Sequence, residues 1–174
     1  NAWGGNGILQ IGDGRTTTNQ YCGSSAEIVG HEVSHNVISA TSNLEYLNES
    51  GAINEALADL YGMAMTANRT TDDWANDIIG DDAGWNLRDM VNPANLGQPD
   101  RYSNYVVTGG DSGGVHTNSG IVNKAHALMV KGGTFNGVTV PRIGLERTEA
   151  MVWAATRLEV YDETASMEQF ANGV

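Results

Sequence analysis

The sequence predicts an α+β chain that is mainly helical and opens on a short strand-and-loop segment. Three observations carry that prediction. Apolar residues recur at helical spacing in four long stretches and are followed by one shorter acidic stretch. A single clear strand run, Ile8-Leu9-Gln10-Ile11, ends at the turn signal Gly12-Asp13-Gly14. Residues 68–115 are rich in Asp, Asn and Gly and carry little periodicity, which suits a functional or ion-stabilised loop region.

The first helix is predicted over about Ala26 to Ala40, where Ile28, Val29, Val33 and Val37 repeat and Ser24 or Ser25 can cap the start. The second is expected from about Ser50 to Ala67, with Ile53, Ala56, Leu57, Leu60 and Ala64 on one stripe. A third follows from about Asn118 to Lys131, through Ile121, Val122, Ala125, Leu128 and Met129, with His126 inside it as a structural residue. A fourth runs from about Arg147 to Leu158, and a last acidic piece, Glu163 to Ala171, suits one more helix. Neither repeat nor linker divides the chain, so 1–174 reads as one unit.

Composition narrows the function. Nine Lys and Arg against 21 Asp and Glu leave a net charge of −12. Nucleic-acid binding needs a surplus of cations to displace counterions, so that class is excluded, and binding to an anionic membrane is disfavoured too. Hydrophobic residues at 40% suit a packed chain, and their runs are too short to span a bilayer. The single Cys22 forms no internal disulfide; it reads as a small buried hydrophobe, with a partner outside this stretch as the alternative. The opening residues hold neither a signal-peptide core nor an initiator Met, so the chain reads as a processed or excised piece.

His31-Glu32-Val33-Ser34-His35 is the chemical motif. Histidines four apart share a helical face, so both rings can reach one metal ion with Glu32 beside it. A catalytic zinc needs a third protein ligand and one open position. Twenty residues beyond His35, the second helix offers Glu55 and Asp59, again four apart on one face. Glu55 can bind the metal while Asp59 accepts the N–H of a liganding histidine. Without the neighbouring motif the pair would be an ordinary solvated acidic face.

H-E-x-x-H followed by Asn48-Glu49-Ser50-Gly51-Ala52-Ile53-Asn54-Glu55-Ala56-Leu57-Ala58-Asp59 resembles the thermolysin-like zinc metalloendopeptidases, the gluzincin group with a His2Glu metal site. Leu87-Arg88-Asp89-Met90, the run Asp111 to Gly120 and the opening Asn1-Ala2-Trp3 extend the resemblance along nearly the whole chain. It implies a mainly α-helical zincin catalytic region with an N-terminal edge strand, lacking most of the family's β-rich N-terminal half and its final helix. Residues 1–47 would supply the edge strand, loop and motif helix, and 48–174 the mainly helical remainder.

Residue by residue, the resemblance implies His31, His35 and Glu55 as zinc ligands, Asp59 behind them and Glu32 as general base. Tyr46 and His116 would stabilise the oxyanion, with Asp111 orienting His116. Arg88 would hold a substrate carbonyl on the primed side, Asn1 and Ala2 would grip the substrate backbone, and Leu87 and Ile28 would line the primed pocket. Asn19 and Cys22 stand where larger apolar residues are common. Glu27, Asp73, Asp77, Asp81 and Asp82 fall where the family binds a calcium pair, although Thr66 replaces a usual glutamate. Taken alone, Tyr46 reads as a packed aromatic, His116 as a capping or surface histidine, Arg88 as a partner of a nearby acid, and the acidic run as a solvated loop.

The resemblance implies a secreted, monomeric zinc endopeptidase that cleaves peptides and proteins on the amino side of hydrophobic residues. The alternative is a non-catalytic metal-binding fragment of such an enzyme. A zinc aminopeptidase is disfavoured because no G-x-M-E-N motif is present.

Overall fold

The computed structural model describes residues 1–15, 20–67, 70–157 and 162–174. Asn19, expected near the primed pocket, and Leu158, the expected end of the fourth helix, lie outside the described residues. The architecture is mainly helical, as the periodicity predicts, with three separate two-stranded ribbons beside five helices among the described residues.

Strands β1 (Ala2–Gly5) and β2 (Ile8–Ile11) form an antiparallel hairpin in which Ala2 faces Ile11. Helix α1 (Ala26–Ala40) begins where Ser25 Oγ accepts the Ile28 N–H at 3.1 Å, and Glu27 stands in its first turn, where the helix dipole favours an anion. Helix α2 (Asn48–Met65) is enclosed on nearly every side: Ile53, Ala56, Leu57, Leu60 and Met63 are fully buried, and so are Glu55 and Asp59. A helix buried all round is the centre of its domain, and α1 and α3 pack against it.

The α1–α2 crossing is close because Gly62 has no side chain. A Cβ there would sit 2.6 Å from the Glu27 carbonyl oxygen and 3.1 Å from the His31 nitrogen. This approach sets the first histidine of the motif beside the buried acids of α2. Gly4 has the same role on the opposite face, where a Cβ would collide with the Glu32 carbonyl oxygen. The hairpin therefore lies directly on the motif helix.

The irregular stretch contains ribbon β3 (Ile78–Ile79) with β4 (Arg88–Asp89), flanked by short 3-10 turns. Segment α3 (Asp111–Lys131) starts earlier than the sequence predicts. Asp111, Ser112, Gly113 and Gly114 all have positive φ, between 49° and 88°, so a left-handed turn leads into the right-handed helix. His116 consequently stands inside the segment rather than ahead of it. Ribbon β5 (Gly133–Phe135) and β6 (Val138–Val140) follows, then α4 (Leu145–Arg157) and α5 (Met167–Gly173). The start of α5 is displaced from the expected Glu163 to a capping box in which Ser166 and Gln169 satisfy each other's backbone N–H groups. Val122, Leu145, Val152 and Phe170 close the core over α2.

Candidate active site

α1 and α2 bring the three expected ligands to one point. His31 Nε2 and His35 Nε2 are 3.0 Å apart, Glu55 Oε2 lies 3.5 Å from His31 Nε2, and Glu55 Oε1 lies 3.3 Å from His35 Nε2. Two ligand atoms about 2.05 Å from a tetrahedral ion stand about 3.3 Å apart, so the donors already have zinc spacing. Glu55 is fully buried and its Oε2 has no hydrogen-bond partner among the described residues, a costly arrangement that a cation would relieve. The residues present therefore fit the metal. The Glu32 carboxylate lies within 4.8 Å of the histidine ring nitrogens, half-buried and lining the cleft.

The far side of each ring is held. His31 Nδ1 meets Asp59 Oδ1 at 2.8 Å, as the four-residue spacing anticipates. His35 Nδ1 meets Asn54 Oδ1 at 2.8 Å, a role that sequence reasoning missed although Asn54 adjoins Glu55. Asn123 of α3, also missed, donates to Asp59 Oδ2 at 2.8 Å. Its signal lies in its spacing, since Asn123 is two turns beyond His116 on the same helix.

Arg88 is directed inward. Its Nη2 donates to Asp59 Oδ1 at 2.7 Å and its Nη1 is 4.0 Å from Glu55 Oε2. Burial alone would raise the carboxyl pKa values of Glu55 and Asp59 and lower that of Arg88. The mutual charges win: His31 and Arg88 hold Glu55 well below the usual carboxylate range, Arg88 and His31 do the same for Asp59, and both acids keep the guanidinium protonated. Burial also works against protonation of His35, but its bonds to Glu55 and Asn54 outweigh it and raise the pKa.

Tyr46 and His116 come from opposite sides of the same opening. The Tyr46 hydroxyl donates to Glu55 Oε1 and lies 3.3 Å from His116 Nε2. Burial and the neighbouring Glu55 charge push the phenol above its ordinary pKa, so it stays a donor. Asp111 faces His116 Nδ1 at 2.6 Å and also accepts its backbone N–H at 3.0 Å. Gln98 ties down the His116 carbonyl at 2.6 Å.

The cleft has two lobes that share Asn1, Ala2, His31, Glu32 and His116. Leu87 and Ile28 meet in the smaller, about 190 Å³, together with Cys22, Trp85 and Arg88. The larger, about 1130 Å³, runs along residues 1–6 toward Ser39, Asn43, Glu45 and Glu163. Among the described residues β1 pairs with β2 alone, which leaves its second edge open. Cys22 is buried, as the small-hydrophobe reading expects.

The acidic group is smaller than expected. Glu27, Asp81 and Asp82 bring carboxylate oxygens within 4.8 Å of one another, but Asp73 is not among them. Lys131, 58 residues away at the end of α3, captures Asp73 and Asp77 at 3.0 Å each. Asn76, the Gly80 N–H and Thr66 bond the Glu27 carboxylate. Burial nevertheless pushes the Glu27 pKa up, with Asp82 and Asp81 adding to the shift.

Residues 42–174 match the family described as the thermolysin metallopeptidase, alpha-helical domain, and the chain belongs to that family. It is 41% identical over 160 residues to a bacillolysin of Bacillus cereus, covering 88% of this chain and 28% of that protein. It is 42% identical over 161 residues to a thermolysin of Alicyclobacillus acidocaldarius, covering 88% and 29%. The chain thus spans under a third of the length of these relatives. Its fold matches the precursor of protealysin, a metalloproteinase from Serratia proteamaculans, with a TM-score of 0.74 at 23% identity, over 99% of this chain and 56% of that one. No helix among the described residues is long and apolar enough to cross a membrane.

Proposed function

We propose that the chain is the catalytic centre of a zinc endopeptidase that hydrolyses peptide bonds on the amino side of hydrophobic residues. The convergence of His31, His35 and Glu55, with Asp59 and Asn54 fixing the rings from behind, carries this reading. Family kinship alone extends it to secretion.

An extended peptide added to the open edge of β1 would gain backbone hydrogen bonds whatever its sequence. The apolar residue after the scissile bond would enter the Leu87 and Ile28 lobe, with Arg88 in its wall to meet a carbonyl oxygen. When bound by His31, His35 and Glu55, zinc would supply Lewis acidity, polarising the scissile carbonyl and bringing the pKa of a water to about 7. Glu32 accepts the proton of the attacking water and hands it to the leaving nitrogen. The Tyr46 hydroxyl, turned from Glu55, and His116 Nε2 donate to the oxygen on which charge develops, His116 acting as an imidazolium whose two ring N–H groups serve Asp111 and the cleft together. Asp111 accepts from Nδ1, so the ring keeps Nε2 turned to the cleft. The calcium reading narrows to Glu27, Asp81 and Asp82, where one hard cation would offset three adjacent carboxylates.

Zinc per chain and hydrolysis of a blocked peptide amide, measured for the wild type and Glu32→Ala, test the proposal. One zinc in both forms and activity in the wild type alone are the expected results. Zinc without any Glu32-dependent hydrolysis would instead establish a metal-binding fragment, and failure to bind zinc would end both readings.

A further inference from the structure

We propose that Glu45 and Glu163 form a cation-selecting subsite for Lys or Arg of the substrate on the amino side of the scissile bond. The inference rests on the endopeptidase reading and deepens it. Glu45 belongs to the connection between α1 and α2, and Glu163 to the segment between α4 and α5. The fold joins them: Glu45 N donates to the Glu163 carbonyl at 2.7 Å, and Asn43 Nδ2 donates to Glu163 Oε1 at 2.8 Å. Both side chains are exposed, and both line the larger lobe. His31, Glu32, His35 and Glu55 line the same lobe, so the candidate metal site is reached from it.

Charge and direction make the assignment specific. Neither Lys nor Arg is found among the described residues lining this lobe, whereas the smaller lobe has Arg88. The two carboxylates therefore face the cleft without a cation on its wall. Trp3, 46% exposed, lines the same lobe and offers an aromatic face on which an ammonium or guanidinium can rest. If the residue after the scissile bond enters the Leu87 lobe, the chain on the other side of that bond crosses the larger one. An extended chain advances about 3.3 Å per residue, so the residues before the scissile bond pass in turn along the wall that carries the two carboxylates. The net charge of −12 has the same sign and favours the approach of cationic peptides to the molecule.

Blocked peptides that differ only in carrying Lys, norleucine or Glu at the two positions before the scissile bond provide the test. Wild-type kcat/KM should favour Lys over norleucine about tenfold, equivalent to about 1.4 kcal/mol, and should disfavour Glu. Glu45→Gln with Glu163→Gln should bring both ratios within about twofold of unity, as should 0.5 M salt in part. Zinc content and circular dichroism check the fold of the double variant, and Glu163→Gln alone should give an intermediate ratio. The Kd values of the same peptides on zinc-loaded Glu32→Ala separate the two claims. If nothing is cleaved, the endopeptidase reading fails while the Kd ratio still decides the subsite. Equal Kd for Lys and norleucine, or a preference that survives both substitutions, would overturn the proposal.

Discussion

Asp59 is fully buried between Arg88, His31 and Asn123, so its charge serves a guanidinium and an imidazole at once. Asp59→Asn should lower zinc affinity about 10- to 100-fold, read by competition with a chelator. It should also lower stability by about 3–5 kcal/mol in urea, because Arg88 is left without its carboxylate. His126 is the opposite case, a buried histidine whose two ring nitrogens find no hydrogen-bond partner among the described residues. Burial pushes its pKa down to about 4. Between about pH 6.5 and 4 the unfolded chain binds a proton there and the folded chain does not, so stability falls as the pH falls through that window. His126→Leu should remove up to about 3 kcal/mol of that loss, as the difference between two urea titration series across pH 4–7. At this scale the sequence was informative wherever a helical period fixed the face, as for His31, His35, Glu55 and Asp59. It said less about Asn54, because an amide next to a ligand has no spacing signature of its own.

Helices α1 and α2 were legible because fifteen and eighteen residues carry enough turns to display a period. Ribbons β3–β4 and β5–β6 were not, since two or three residues show no alternation. The acidic run misled for a related reason: local density of Asp does not say which carboxylates face one another, and the distant Lys131 took Asp73 away from Glu27. The α1–α2 crossing is itself open to test. In an isolated helix Gly62→Ala would stabilise by about 1 kcal/mol. Here the added methyl meets the Glu27 carbonyl and the His31 nitrogen, so a net loss of about 1–3 kcal/mol is expected in urea unfolding. Zinc affinity should fall with it, because the two ligand-bearing helices are pushed apart.

Across the whole molecule the proposed metal centre joins elements from both halves of the sequence, with its candidate ligands on α1 and α2 and the groups behind them on β4 and α3. Zinc at 1,000 times its Kd should therefore add about 4 kcal/mol to unfolding, seen as a rise in Tm that a chelator reverses. Calcium would act elsewhere, tying the 81–82 turn to the start of α1. A Tm unchanged by selective calcium chelation would remove it from the account. The helical fold class, and the shared faces that bring His31, His35, Glu55 and Asp59 together, were thus readable from local periodicity. The two lobes of the cleft were not, since they arise only when the hairpin, the α1–α2 connection and the segment before α5 meet.

The left-handed turn from Asp111 to Gly114 has a consequence for protein engineering. Its mirror-image backbone disfavours ordinary L residues by about 1–2 kcal/mol each, and glycine already occupies two of its four positions. Ser112→Gly, or a D-amino acid introduced there by chemical synthesis, should make the molecule more stable at no cost to chemistry. The same change at Asp111 would relieve as much torsion but strip His116 of its carboxylate. The chain keeps an unfavourable chirality at the one position of that turn whose side chain it uses.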